Sequence, residues 1–179
     1  TKLLEGYLAN FAKFGRECQI YLVPDVTTPE AAIPRCVKVP TLHEQEQFLR
    51  KLGFPPKDVP RNSDNRRNVG YVMALADGAE MIVSIDDDNY CPEDEDFIGM
   101  HSDWLTRYSS CVRTDTGWVN NCELFESNNL FPRGFPYYAR NKPKIILTEE
   151  QYQVRINAGM WMIDPDLDAM TWLHHGMIV

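Results

Sequence analysis

Nowhere in this sequence do roughly eighteen apolar residues follow one another, the length a membrane-spanning helix needs, so no such helix is expected. Residues 1–14 do not form the apolar core of a signal peptide either; they read as an amphipathic helix. Cysteine is sparse and odd in number. Cys18, Cys36, Cys91, Cys111 and Cys122 include no C-x-x-C pair, so neither a zinc site nor a disulfide framework is expected. Free thiols in a reducing, cytoplasmic setting are the simpler expectation. Positive charge is also short: 18 Lys and Arg stand against 26 Asp and Glu, a formal charge of -8. That disfavours a general nucleic-acid binder, which carries a basic face, but not phosphate ligands, because metals and local groups override the net field. The sequence holds no internal repeat and no linker, and its 179 residues are one domain's worth.

What is present is an ordinary globular balance, 44% apolar and 25% charged. Leu4, Tyr7, Leu8 and Phe11 fall on one helical face, stopped by Gly15. A short strand is expected over residues 19–23, then a proline-rich loop with an edge strand near Val37. Thr41 and Glu44 form a capping box ahead of a helix carrying Leu42, Gln45, Leu49 and Leu52, ended by Gly53. A third helix, capped at Ser63 or Asp64, presents Val69, Val72, Met73 and Ala76 and stops at Gly78. Residues 81–85 form an apolar run too short for a helix and read as a buried strand. Pro92 opens a helix carrying Phe97, Met100, Trp104 and Tyr108, and a last short helix is expected from Pro165. This order predicts an α/β fold with a mainly parallel central sheet.

The run Ser84-Ile85-Asp86-Asp87-Asp88-Asn89 places three carboxylates where that strand ends. Ligands of open α/β sheets bind at such ends. Neighbouring carboxylates repel unless a cation lies between them, and oxygen ligands favour a hard ion such as Mg²⁺ or Mn²⁺. Asp86 and Asp88 are the candidate metal ligands, and Asp87 is assigned to the ribose or sugar. The alternative is a solvated acidic turn capping the next helix. Arg66 and Arg67 lie in the first turn of the preceding helix, where a bound anion would relieve their opposition to the helix dipole; two solvated arginines are the alternative.

At this point the residues resemble a known group. Residues 67–88, closing on D-x-D, look like the middle of GT-A glycosyltransferases. Arg133-Gly134-Phe135-Pro136-Tyr137-Tyr138-Ala139-Arg140 resembles the R-G-Y-P-x-x-x-R segment of the reversibly glycosylated polypeptides, the plant UDP-arabinopyranose mutases. Gly159-Met160-Trp161-Met162 followed by Pro165-Asp166-Leu167-Asp168-Ala169 resembles their G-L-W-L-x-x-P-D-Y-D-A segment. The likeness covers roughly residues 67–173. It departs where those proteins read D-D-D-C, since Asn89 and Tyr90 precede Cys91 here. By that resemblance the family would also supply a first strand ahead of Thr1 and sequence after Val179, so the chain is expected to be part of a longer protein.

The resemblance implies a GT-A-like, Rossmann-like three-layer catalytic domain over residues 1–179, UDP-sugar binding, and a divalent metal at the aspartates. It implies roles for Arg133, in reversible self-glycosylation, and for Arg140 beside it. Guanidinium groups suit phosphate, although structural ion pairs are the alternative. Asp166 and Asp168 are candidates for orienting sugar hydroxyls or acting on an acceptor, but the pattern is also a helix start. Trp118, Tyr137, Tyr138 and Trp161 are candidates to stack on a sugar or to fill the core, and Asp25 is a candidate contact to the nucleobase. His174-His175 reads as a surface pair.

The expected function is metal-dependent glycosyl transfer from a nucleotide sugar, expected to be a UDP-sugar, to a carbohydrate or other small acceptor. A UDP-sugar pyranose/furanose mutase, a non-catalytic nucleotide-sugar-binding subunit, and a metal-dependent nucleotidyl- or phosphotransferase are the rivals. A homo-oligomer is compatible with the sequence.

Overall fold

The computed structural model describes residues 2–29, 32–124, 130–141, 145–157 and 166–175. The chain divides into two compact units, Thr1–Ser102 and Asp103–Val179.

In the first unit, α1 (Lys2–Lys13) buries Leu4, Tyr7, Asn10 and Phe11. Leu8 lies at the edge of that face and is half-buried. α2 (Leu42–Lys51) starts at the expected capping box: Glu44 N–H donates to Thr41 Oγ1, and Thr41 N–H donates to the Glu44 carboxylate. It buries Gln45 and Leu49, while Leu52 is exposed. α3 (Arg67–Ala76) follows a 3-10 turn at Asp64–Arg66 capped by Ser63. Its buried face is Val69, Gly70 and Ala74, with Met73 half-buried; Val72 and Ala76 face water, so the stripe is rotated from the expected one.

Gly53 and Gly78 close α2 and α3 with φ of 83° and 90°, a region that penalises a Cβ. The chain then folds back so that Phe54 N–H donates to Leu49 O and Ala79 N–H to Ala74 O, both at 3.0 Å. α4 (Phe97–Leu105) begins later than Pro92. The Asp96 carboxylate accepts the Gly99 N–H (3.0 Å), and the acidic stretch before it is loop.

The second unit is built on β1 (Tyr108–Thr114) and β2 (Ile145–Gln153), an antiparallel pair. The register shifts between Ser110 and Val112, where Cys111 N–H donates to the Thr148 hydroxyl (2.9 Å) instead of to a ladder carbonyl. A small core of Cys122, Leu130 and Leu167 has Trp172, from α5 (Ala169–His175), packed against it, and a 3-10 turn lies at Tyr137–Arg140. α5 starts at Ala169. Asp168 caps it, accepting N–H groups from Met170 and Thr171, while Pro165 lies outside the described residues.

The expected three-layer α/β fold with a mainly parallel central sheet is corrected. The described chain has five α-helices and one sheet, of two antiparallel strands. Residues 19–23 contribute a single parallel bridge, Tyr21 to Lys38, and residues 81–85 pair with no described strand. The physical reason is visible in the burial. Residues 81–85 alternate between half-buried and exposed, with Ile82 and Ile85 both more than a third exposed. A short apolar run covered on one side needs no ladder, and apolar content alone does not distinguish it from a buried strand. The long aromatic helix expected to reach Tyr108 stops at Leu105, and Tyr108 starts β1. Among the described helices, none is long and apolar enough to cross a membrane.

Candidate functional site

The acidic run occupies a turn that follows an extended segment. Asn89 N–H donates to Asp86 O (3.3 Å), and Asp86 N–H donates to Asn89 Oδ1 (3.2 Å). The Asn89 amide also donates to Asp88 Oδ1 (3.1 Å). Asn89 therefore closes the turn from both backbone and side chain, chemistry that asparagine's short amide favours. Behind it, the buried Tyr7 hydroxyl donates to Asn89 O (3.0 Å). Asn10 donates to Pro92 O and Glu95 O (2.9 and 2.7 Å), so α1 fastens the whole loop after the aspartates. Burial, and then the neighbouring Cys91, pushes the Tyr7 hydroxyl up to about 12. Sequence reasoning did not assign Asn89 or Tyr7; adjacency to the aspartates was the available signal for Asn89, and nothing marked Tyr7.

Arg67 meets this turn. Its guanidinium lies 2.9 Å from Asp86 Oδ1, with both side chains about half exposed (48% and 47%). The Asp86 carboxylate raises the Arg67 pKa further, and Arg67 also faces Tyr71, whose hydroxyl is hydrogen-bonded to Ser84. Arg66 goes elsewhere. It is buried, donates to Val59 O (3.1 Å) and to the Gln45 side chain, and leaves its Nε without a partner. Gln45 in turn donates to Pro24 O and Pro40 O. Arg66 thus ties loops together. Asp25 accepts N–H groups from Val26 and Ser63; hydrogen bonding, led by the Asn62 backbone, holds its carboxyl below the ordinary range.

Among the described residues no three His, Cys, Asp or Glu side chains converge as a metal cage. The donor set still fits Mg²⁺ or Mn²⁺. Mg²⁺ is held by one or two carboxylates plus substrate phosphates rather than by an all-protein cage, and Asp86, Asp87 and Asp88 are all exposed hard-oxygen donors. A cavity of about 370 Å³ lies near the other end of α3, lined in part by Met73, Asp77, Lys38 and Tyr21, and it includes none of the sequence-predicted site residues.

In the second unit the remaining candidates form two ion pairs of different kinds. Arg133 lies 2.9 Å from Asp166, with the side chains 77% and 43% exposed. Arg140 lies 3.2 Å from Asp168, and these side chains are only 17% and 10% exposed. The Arg140 guanidinium stacks on Tyr137 at 3.9 Å and lies over Phe131 at 4.4 Å. Burial pushes the Asp168 carboxyl up. Hydrogen bonds from the Thr171 hydroxyl and the Thr171 and Met170 N–H groups, with Arg140 nearby, outweigh it and hold the carboxyl below its usual range. Trp118, Tyr137 and Tyr138, read from sequence as either sugar-stacking or core residues, are all exposed. Trp161 lies outside the described residues. No family model matches the chain, and no curated protein matches it in sequence.

Proposed function

We propose that this chain binds the diphosphate of a nucleotide sugar, in the first instance a UDP-sugar, at Asp86–Asp88 and transfers its glycosyl group to a carbohydrate or other small acceptor. The observation that carries the reading is the half-exposed pair of Arg67 with Asp86, which sets a guanidinium beside a run of carboxylates at the head of α3. Such a pair offers both things a metal-bound diphosphate needs: oxygen ligands for the cation and a fixed positive charge for the phosphate. Asp86 and Asp88 would hold Mn²⁺ or Mg²⁺, which when bound supplies charge neutralisation to the departing diphosphate.

The chain's own groups do the rest. Arg67 exchanges its contact with Asp86 for bidentate hydrogen bonds to phosphate. Asp87 takes hydroxyls of the ribose or sugar. Asn89, held by Tyr7, keeps the aspartates from drifting apart as the ligand arrives. The sequence resemblance of residues 67–88 to the middle of GT-A glycosyltransferases supports the donor class.

Calorimetric titration of UDP into the protein with Mn²⁺, with EDTA, and with Asp88→Ala tests the site. Metal-dependent binding that the substitution abolishes is expected; binding indifferent to both would overturn the metal assignment. NMR of the sugar products then identifies the chemistry. UDP release with glycosylated acceptor is the expected result, whereas ring isomerisation without acceptor would identify a mutase and release of pyrophosphate or phosphate a nucleotidyl- or phosphotransferase. Binding with neither UDP release nor ring interconversion would identify a binding subunit.

A further inference from the structure

We infer that residues 81–85 are a docking edge for one β-strand of a partner protein, a strand with an apolar middle and Lys or Arg at both ends. The inference goes beyond the metal-diphosphate reading: it rests on a stretch of backbone and requires neither metal nor nucleotide. Met81 and Val83 are half-buried, while Ile82, Ser84 and Ile85 are exposed, close to the period of two of an extended chain. Valine and isoleucine favour that conformation. Yet among the described residues no backbone N–H or C=O of residues 81–85 is hydrogen-bonded to another protein group. The other short apolar run of the first unit differs: Lys38 N–H donates to Ile20 O and Leu22 N–H to Lys38 O, both at 2.9 Å. Residues 81–85 are held in place by other means. The Tyr71 hydroxyl, on α3, is hydrogen-bonded to the Ser84 hydroxyl, and Asn89 closes the turn that follows. A strand-forming segment anchored through a side chain, its backbone unused, is a template for an incoming strand, whose main-chain groups complete the ladder.

The charges at its ends define the occupant. Exposed Glu80 precedes the run, and the exposed carboxylates of Asp86, Asp87 and Asp88 follow it. Among the described residues the cation paired with these acids is Arg67, at Asp86. A second copy of this chain is a poor match. Paired antiparallel over all five residues, it sets Glu80 opposite Asp86; paired parallel in register, it sets each acid beside its twin. Like charges so placed destabilise a ladder. A strand with a cation at each end meets acid at both ends, whichever way it runs.

The test is amide NMR of the full chain, in EDTA and without nucleotide, titrated with the blocked peptide Lys-Val-Thr-Val-Thr-Val-Lys at millimolar concentration. One added strand bonds only the groups on one edge. Alternate amides, either 82 and 84 or 81, 83 and 85, should therefore shift and exchange with solvent about tenfold more slowly. Placing two prolines at the centre of the peptide removes a donor from each of its edges and should abolish binding. Replacing both of its lysines by Glu should weaken binding about tenfold, and Glu80→Lys, at an exposed site, should weaken binding of the Lys peptide. No shift with the Lys peptide, shifts without the alternation, or equal binding of the diproline peptide would overturn the inference. Equal or tighter binding of the Glu peptide would overturn the charge assignment. Concentration-dependent shifts of the same amides without peptide would make a second copy the occupant and overturn the partner assignment. Because metal and nucleotide are absent throughout, failure of the UDP site would leave this result standing.

Discussion

The hydroxyl of Tyr7, on α1, donates to the backbone carbonyl of Asn89 at 3.0 Å, directly behind the acidic turn. Its pKa, pushed up to about 12 by burial and then by Cys91, makes the neutral phenol the folded form. The sign follows: this contribution is complete below the ordinary value of 10.0 and is lost as pH rises through about 12. Ultraviolet titration of wild type against Tyr7→Phe should therefore remove one late-titrating tyrosine. Chemical denaturation should show the variant about 1 kcal/mol less stable, as expected for one lost hydrogen bond.

Arg67 and Asp86 separate stability from binding. The pair is half exposed, so Arg67→Ala should change the unfolding free energy by less than about 1 kcal/mol. UDP affinity in Mn²⁺ should fall roughly tenfold or more, the worth of a charge-assisted phosphate contact. A large stability loss with unchanged UDP affinity would make Arg67 a structural residue.

Gly70 lies so close to Val23 that an added Cβ would be 2.5 Å from Val23 Cγ2. Valine's branched side chain has little freedom to retreat. Gly70→Ala gains about 1 kcal/mol of helix propensity, yet overpacking of about 1–3 kcal/mol should make the variant less stable in urea denaturation.

The two arginines of the second unit should behave oppositely. Arg140→Ala removes the cation beside the buried Asp168 carboxylate, which keeps its hydrogen bonds from Thr171 and Met170, and should destabilise by about 1–3 kcal/mol, whereas Arg133→Ala should cost less than about 1 kcal/mol. Asp168 also makes a pH prediction. Its carboxyl is held below the ordinary 3.8, so the stability it contributes is complete above that pH and is lost as pH falls through the folded value. Acid denaturation of Arg140→Ala should begin at higher pH than in wild type.

The helices were legible in sequence wherever a local signal ended them. Thr41 and Glu44 form their capping box, and Gly53 and Gly78 stop α2 and α3 as expected. These are contacts over a few residues. The sheet was not legible: the pairing of residues 108–114 with 145–153 depends on partners more than thirty residues away, and no hairpin turn of two residues marks it. Residues 81–85 carried the pattern of a buried strand but have no pairing neighbour among the described residues. At the acidic turn, the aspartates were visible as a motif, whereas Arg67 and Arg66, adjacent in sequence, have opposite fates. Only the placement of Gln45 and Val59 decides that Arg66 turns inward.

The Thr148 hydroxyl, which accepts the Cys111 N–H at the irregularity between β1 and β2, also donates to Glu150 O (3.3 Å). Two perfectly regular strands can slide by two residues and keep every side chain on its original face. Here sliding would carry Cys111 away from the Thr148 hydroxyl that receives its N–H. One threonine thus makes the alternative alignments of a two-stranded ribbon unequal, favouring the observed one by the worth of about one hydrogen bond.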